Sequence, residues 1–192
     1  MKRSLGARTI AYPTPVFIVG SYDSEGNPNL MAVAWGGICC SKPPSVAISL
    51  RAATYSHSCI RVSGAFTINI PSEDLVGAAD YVGTFSGRDV DKFAELGLTP
   101  VRSELVNAPF VEEFPVVLEC RLNHTVEIGM HTQYVGEILD VKVDEAVIGE
   151  QGVPDIELLK PIFYDPGTRG YYGSSSILGK AYTAKRPGKE RE

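Results

Sequence analysis

The stretch FPVVLECRLNHTVEIG at residues 114–129, followed by HTQYVGEILDVKVDE at 131–145, decides the fold. In the first, Val116, Leu118, Cys120 and Leu122 fall on one face, and Val117, Glu119, Arg121 and Asn123 on the other. That period of two is what a half-buried strand requires. In the second, Tyr134 and Ile138 share one phase while Leu139, Val141 and Val143 share another, which predicts a β-bulge near Gly136. Only Ile128-Gly129-Met130 separates the two strands, so they pair antiparallel.

Working towards the N-terminus, AFTINI (65–70) and SVAISL (45–50) are shorter strands, the latter entered through the Lys42-Pro43-Pro44 breaker. PVFIVGSYD (15–23) and LMAVAWGGICC (30–40) flank the turn formers SEGNPN and read as a hairpin. RAATYSHSCIRVSG (51–64) predicts a short helix capped by Thr54 or Ser56 and stopped by Gly64. SEDLVGAADYVGTFSG (72–87) predicts a second, capped by Ser72, and RDVDKFAELG a further turn or two ending at Gly97. Towards the C-terminus, IFYDPGTRGYYGSSSILG (162–179) carries a turn and a last strand. Hairpins with inserted helices predict a mainly β fold, a closed or nearly closed antiparallel barrel with short peripheral helices. Closure removes the exposed edges that such apolar strands would otherwise present.

The 192 residues suit one domain, 1–192, with a loose charged tail from about 180. Apolar residues make up 44% of the chain, enough for a core, and the net charge of -5 argues against nucleic acid or anionic membrane as a partner. MKRSLGARTI lacks the apolar run of a signal peptide, and no segment approaches the roughly 20 apolar residues of a membrane span. The expected compartment is the cytoplasm. Cys39, Cys40, Cys59 and Cys120 form no CxxC pair and suggest no disulfide framework. Asn123-His124-Thr125 matches a glycosylation pattern, idle without secretion.

No GxGxxG follows a strand, and GxxxxGK[ST], GxSxG and HExxH are missing, which disfavours nucleotide-fingerprint, serine hydrolase and zinc protease readings. The spacing of His57 and Cys59 is not a zinc pattern, so no metal is expected, and His57 reads as a helix-surface residue. His131 begins a strand, at either a pocket or an edge. Trp35, beside Gly36-Gly37, is either a core ring or a sign of close approach by a ligand.

SLRAATYSHS (49–58) is the most informative segment. A strand end, Arg51, small residues, and Thr54 and Ser56 before a helix assemble amides, hydroxyls and a guanidinium suited to a phosphate. Capping explains the two hydroxyls equally well. SGRDVDKF (86–93) adds Ser86, Arg88 and Lys92, which otherwise read as a solvated helix start with Lys92 exposed.

In order and spacing, these segments resemble the flavoredoxin branch of the flavin reductase-like, FMN-binding split-barrel family, over roughly residues 10–165. The pieces that carry the resemblance are PVFIVGSYDSEGNPNLMAVAWGG, PPSVAISLRAATYSHSCI, GAFTINIP, SGRDVDKFAELGL, APFVEEFPVVLEC and HTQYVGEILDV. The resemblance implies a homodimer of split barrels, each binding one non-covalent FMN near the subunit interface. It places Asn29, Met31 and Trp35 against the flavin, and Ser49, Leu50, Arg51 and Ser56 along its ring edge, ribityl chain and phosphate. Ser86 and Lys92 would complete the phosphate site, with His131 and Phe163 or Tyr164 near the ring. Serine at position 56, where the family often has threonine, keeps the hydroxyl.

A flavin does its own redox chemistry, so no protein acid, base or nucleophile is needed, in keeping with the absence of a triad. The leading expectation is a flavin-dependent electron-transfer protein or reductase, taking electrons from NAD(P)H or a redox protein. A non-enzymatic flavin-binding or storage module and a cofactor-free structural barrel are the alternatives.

Overall fold

The two long strands form the spine of the sheet. In the computed structural model, which describes residues 1–173, 176–179 and 181, the chain opens with β1 (Thr14–Pro15), β2 (Phe17–Tyr22), β3 (Pro28–Val33), β4 (Gly36–Ser41) and β5 (Pro44–Arg51). Helix α1 (Tyr55–Ser63) leads into β6 (Ala65–Ile70), followed by α2 (Val76–Thr84) and α3 (Lys92–Leu96). A small hairpin, β7 (Pro100–Arg102) and β8 (Pro109–Val111), precedes the spine, β9 (Val116–Ile128) and β10 (His131–Val143). Helix α4 (Ile156–Leu159), β11 (Phe163–Asp165) and β12 (Gly170–Tyr172) follow. Apart from residue 181, the expected loose tail lies outside the described residues.

The main sheet has seven strands in the order β3-β2-β6-β9-β10-β5-β4, every registered pair antiparallel. A flat sheet would keep its ends far apart. Here Val33 from β3 and Val46, Ile48 and Leu50 from β5 share one core with Phe66, Cys120 and Tyr134. The sheet is therefore rolled into a barrel, split along β3 and β4, which do not pair with each other. The chain itself crosses the split: β3 runs into β4 through Ala34-Trp35, and the Ser49 N–H donates to the Trp35 carbonyl at 2.8 Å.

The apolar run 30–40, read from sequence as one strand, thus divides at Trp35. Gly36 allows the crossing, because a Cβ there would meet Phe17 and the Ala47 carbonyl at 3.0 Å. The bulge expected near Gly136 is present, with register shifts at Val135/Gly136 and again at Ile138/Asp140. A Cβ on Gly136 would stand 2.6 Å from Phe66 Cζ, so glycine lets the Phe66 ring fill the barrel axis. Val116, Leu118, Cys120 and Leu122 of β9 pack against the core as the alternation predicts, but Val117 and Glu119 on the other face are buried as well. The Glu119 carboxylate lies 3.2 Å from Lys142 Nζ, which also pairs with Asp140 at 2.9 Å.

The helices form in the expected segments, but Ser72 precedes a 3-10 turn (Glu73–Leu75) ahead of α2 and makes no side-chain capping bond. Gly64 ends α1 and Gly97 ends α3, both in the left-handed region that glycine enters without strain (φ 66° and 63°). Asp91 caps α3 by accepting from the Phe93 and Ala94 N–H groups. Helices α2 and α3 bury Ala79, Val82 and Phe93 against Val16, Ile18 and Leu30, a second core on the outside of β2 and β3. Burying each of the larger side chains here, such as Ile18, Leu30 and Phe93, stabilises the fold by about 1.5–3 kcal/mol. That second core fixes the 85–91 loop, between the two helices, over the end of β3. No helix among the described residues is long and apolar enough to cross a membrane.

Candidate functional site

A cleft of about 420 Å³ lies where the start of α1, the end of α2 and the 85–91 loop converge on β3. Its floor is Asn29 and Met31, which strand alternation turns to one face of β3. Ala53 to Ser56 form one wall, and Ser86 to Asp89 the other. Lys92 closes the end.

Lys92 is the least expected of these. It is not exposed: it is 5% accessible, and its Nζ donates to the Leu30 and Val82 carbonyls, both at 2.7 Å. Burial pulls its pKa down to about 8, so it remains mostly charged at neutral pH. An ammonium has three N–H donors. Two are taken by carbonyls, leaving one for the cleft that the side chain lines.

Ser56 also differs from expectation. Thr54 occupies the cap position of α1, but its hydroxyl donates to the Arg51 carbonyl and makes no bond to a helix N–H. Ser56 sits inside the first turn, buried, and accepts from Asn29 Nδ2 at 2.8 Å. Asn29 is 5% exposed, and its Oδ1 has no partner among the described residues. An orphaned buried acceptor carries a desolvation cost of about 1–3 kcal/mol. Gly87 packs directly over this oxygen, and a Cβ there would overlap it.

The guanidinium in the cleft wall is Arg88, not Arg51. It donates to the Ala53 carbonyl at 3.0 Å and lies over the Tyr55 ring, 5.3 Å from its centre. Arg51 is exposed at the far end of β5, directly opposite His131 on β10 and outside the cleft lining. Tyr55 is anchored in turn: its hydroxyl donates to Asp23 at 2.9 Å. That bond, followed by burial, pushes the phenol up to about 12. Burial alone would raise the Asp23 carboxyl, but donors from Asn27, Tyr55 and Glu25 outweigh it and hold the group at about 2.

The structure therefore brings together Asn29, Met31, Ser56, Ser86 and Lys92 out of the expected set, and adds Tyr55, Gly87 and Arg88. The remaining residues lie elsewhere. Ser49 is half-buried beside Gln133, and the Leu50 side chain is in the barrel core. Trp35 is half-buried at the crossing of the split. Phe163 pairs with Pro15 and Tyr172 in the small sheet β1-β11-β12. Tyr164, its neighbour, lines a hollow that shares Gly83 and Thr84 with the cleft. Arg88 was legible in SGRDVDKF; Tyr55 had no signal apart from its place at a helix start.

His57 is buried rather than on the helix surface, with Nε2 2.9 Å from Thr132 Oγ1. Burial, then Arg61, lowers its pKa, so it is a neutral packing residue. No group of three potential metal ligands is found among the described residues.

The arrangement suits a polar, anionic ligand. A helix start, two serine hydroxyls, a guanidinium and one ammonium proton converge, the donor set that holds a phosphate.

Residues 8–170 match the model of the flavin reductase like domain. A solved flavoredoxin of Desulfovibrio vulgaris (Miyazaki F) is 55% identical with a TM-score of 0.92, covering 96% of this chain and 99% of its own. Flavoredoxin from Methanosarcina acetivorans is 30% identical with a TM-score of 0.89, covering 95% and 96%. An uncharacterised protein of Archaeoglobus fulgidus is 34% identical over 76% of this chain and 80% of its own.

Proposed function

Because the chain belongs to the flavin reductase-like family, we propose that it is a flavoredoxin-type oxidoreductase, a flavoprotein that binds FMN without a covalent bond and transfers electrons. The observation that carries this reading is the cleft at the 85–91 loop, where Ser56, Ser86, Arg88 and Lys92 surround the orphaned acceptor of Asn29. The flavin supplies the redox chemistry, accepting electrons from a donor and passing them on.

The protein's part is binding and orientation. Arg88 and Lys92 supply positive charge to a phosphate, and Ser56 and Ser86 supply hydroxyls. Asn29 and Met31 form the floor on which the ribityl chain and ring edge rest. Trp35, Ser49, Leu50, Arg51, His131 and either Phe163 or Tyr164 lie towards the ring end. Sites spread over both the cleft and the β5/β10 rim suit a ligand completed by a second copy, so the protein works as a homodimer. NAD(P)H or a redox protein serves as electron donor, in the cytoplasm.

The purified protein should be yellow, with a flavin spectrum that survives gel filtration, and should bleach anaerobically with NADH or NADPH or with a reduced protein donor. Replacing Arg88 and Ser86 together with alanine should weaken FMN about tenfold or more and leave riboflavin within about twofold. A colourless protein that takes up no added FMN would rule the reading out.

A further inference from the structure

Beside the cleft lies a second hollow of about 590 Å³, which has Asn29, Tyr55, Gly87, Arg88, Asp89 and Lys92 in common with it. The two differ sharply in charge. Two cations, Arg88 and Lys92, and one carboxylate, Asp89, line the inner cleft. The same two cations line the outer hollow, but four carboxylates face them: Asp23, Glu25, Asp89 and Asp91.

Two of these carboxylates are fixed in place. Asp23 accepts from the Glu25 and Asn27 N–H groups and from Tyr55, and is ionised throughout the neutral range. Asp91 accepts from the Phe93 and Ala94 N–H groups at the start of α3. Among the described residues no three carboxylates converge closely enough to hold a metal ion, so their charge acts on whatever enters. Asn29, buried and with its Oδ1 unpartnered among the described residues, lines both spaces.

We propose that the outer hollow selects mononucleotide over dinucleotide: a single phosphate stops at Ser86, Arg88 and Lys92, whereas the second phosphate of FAD would have to enter the acidic hollow. This rests on the flavin reading above and names the residues that decide which flavin is held. Glu25 is the informative position, since it is exposed and lines the hollow but not the cleft.

The test is equilibrium titration of apoprotein with riboflavin, FMN and FAD, followed by flavin fluorescence at low ionic strength. In Glu25→Lys the Kd for FAD should fall roughly tenfold, in Glu25→Gln about threefold, while FMN stays within about twofold. Both gains should fade in high salt, which screens exposed charges. Equal gains for FMN and FAD, an unchanged ratio, or wild-type protein that binds FAD as tightly as FMN would overturn the selectivity while leaving the flavin reading intact. Wild-type protein that binds no flavin at all would remove both.

Discussion

Lys92 gives the molecule a pH dependence that can be worked out in advance. Its pKa in the folded state is about 8, against an ordinary value of 10.5. Between these two values the unfolded chain keeps the proton that the folded chain has released. Stability therefore rises with pH in this window, by up to about 1.4 kcal/mol per pH unit. From pH 7 to pH 9.5 the gain is roughly 2 kcal/mol, within a full span of about 3. The buried thiols of Cys59 and Cys120, both pushed up by burial, act in the opposite direction over part of this range. Their contribution cancels if wild type is compared with Lys92→Met. The assay is urea unfolding of apoprotein followed by Trp35 fluorescence at pH 7 and 9.5. The variant starts lower, because the Leu30 and Val82 carbonyls lose their donor, at about 1–3 kcal/mol each, partly offset by removal of a buried charge. The wild-type advantage should then grow by roughly 2 kcal/mol at the higher pH. An advantage that stays constant would show that Lys92 is not buried in its charged form, and the account of the cleft end would fail.

Gly87→Ala should cost at least about tenfold in FMN affinity by fluorescence titration, since its Cβ would overlap Asn29 Oδ1 and push the 85–91 loop off the floor. Gly136→Ala should lower stability by about 1–3 kcal/mol in denaturant unfolding and leave flavin affinity unchanged, because its Cβ would press on Phe66 inside the barrel. His57, whose folded pKa lies below 6.5, contributes stability that is complete above pH 6.5 and lost as the pH falls towards the folded value. His57→Gln should flatten the acid limb of a Tm-against-pH profile, and an unchanged limb would place the imidazole in solvent.

Much of the fold was legible because period and punctuation are local. The alternation in β9, the bulge at Gly136 and the stops at Gly64 and Gly97 each need only a few neighbouring residues. The division of LMAVAWGGICC was not legible, since it depends on Phe17 and Ala47 arriving from elsewhere in the chain. Glu119 and Lys92 failed for the same reason: charged side chains read as exposed unless a partner is known, and their partners lie on other elements. For the site, hydroxyls and cations could be read by type but not by direction. Arg51 and Arg88 look alike in sequence, and only the rolling of the sheet decides which one meets the cleft.

The two bonds from Lys92 to Leu30 and Val82 have a kinetic meaning. They tie β3 to the end of α2 from inside α3, so the 85–91 loop hangs between two elements that cannot drift apart without breaking a buried ammonium from its carbonyls. The ordering of the loop is completed in folding rather than in association. A receptor built this way docks its ligand in one step, with an observed rate that climbs linearly with ligand concentration and no plateau from a closing loop.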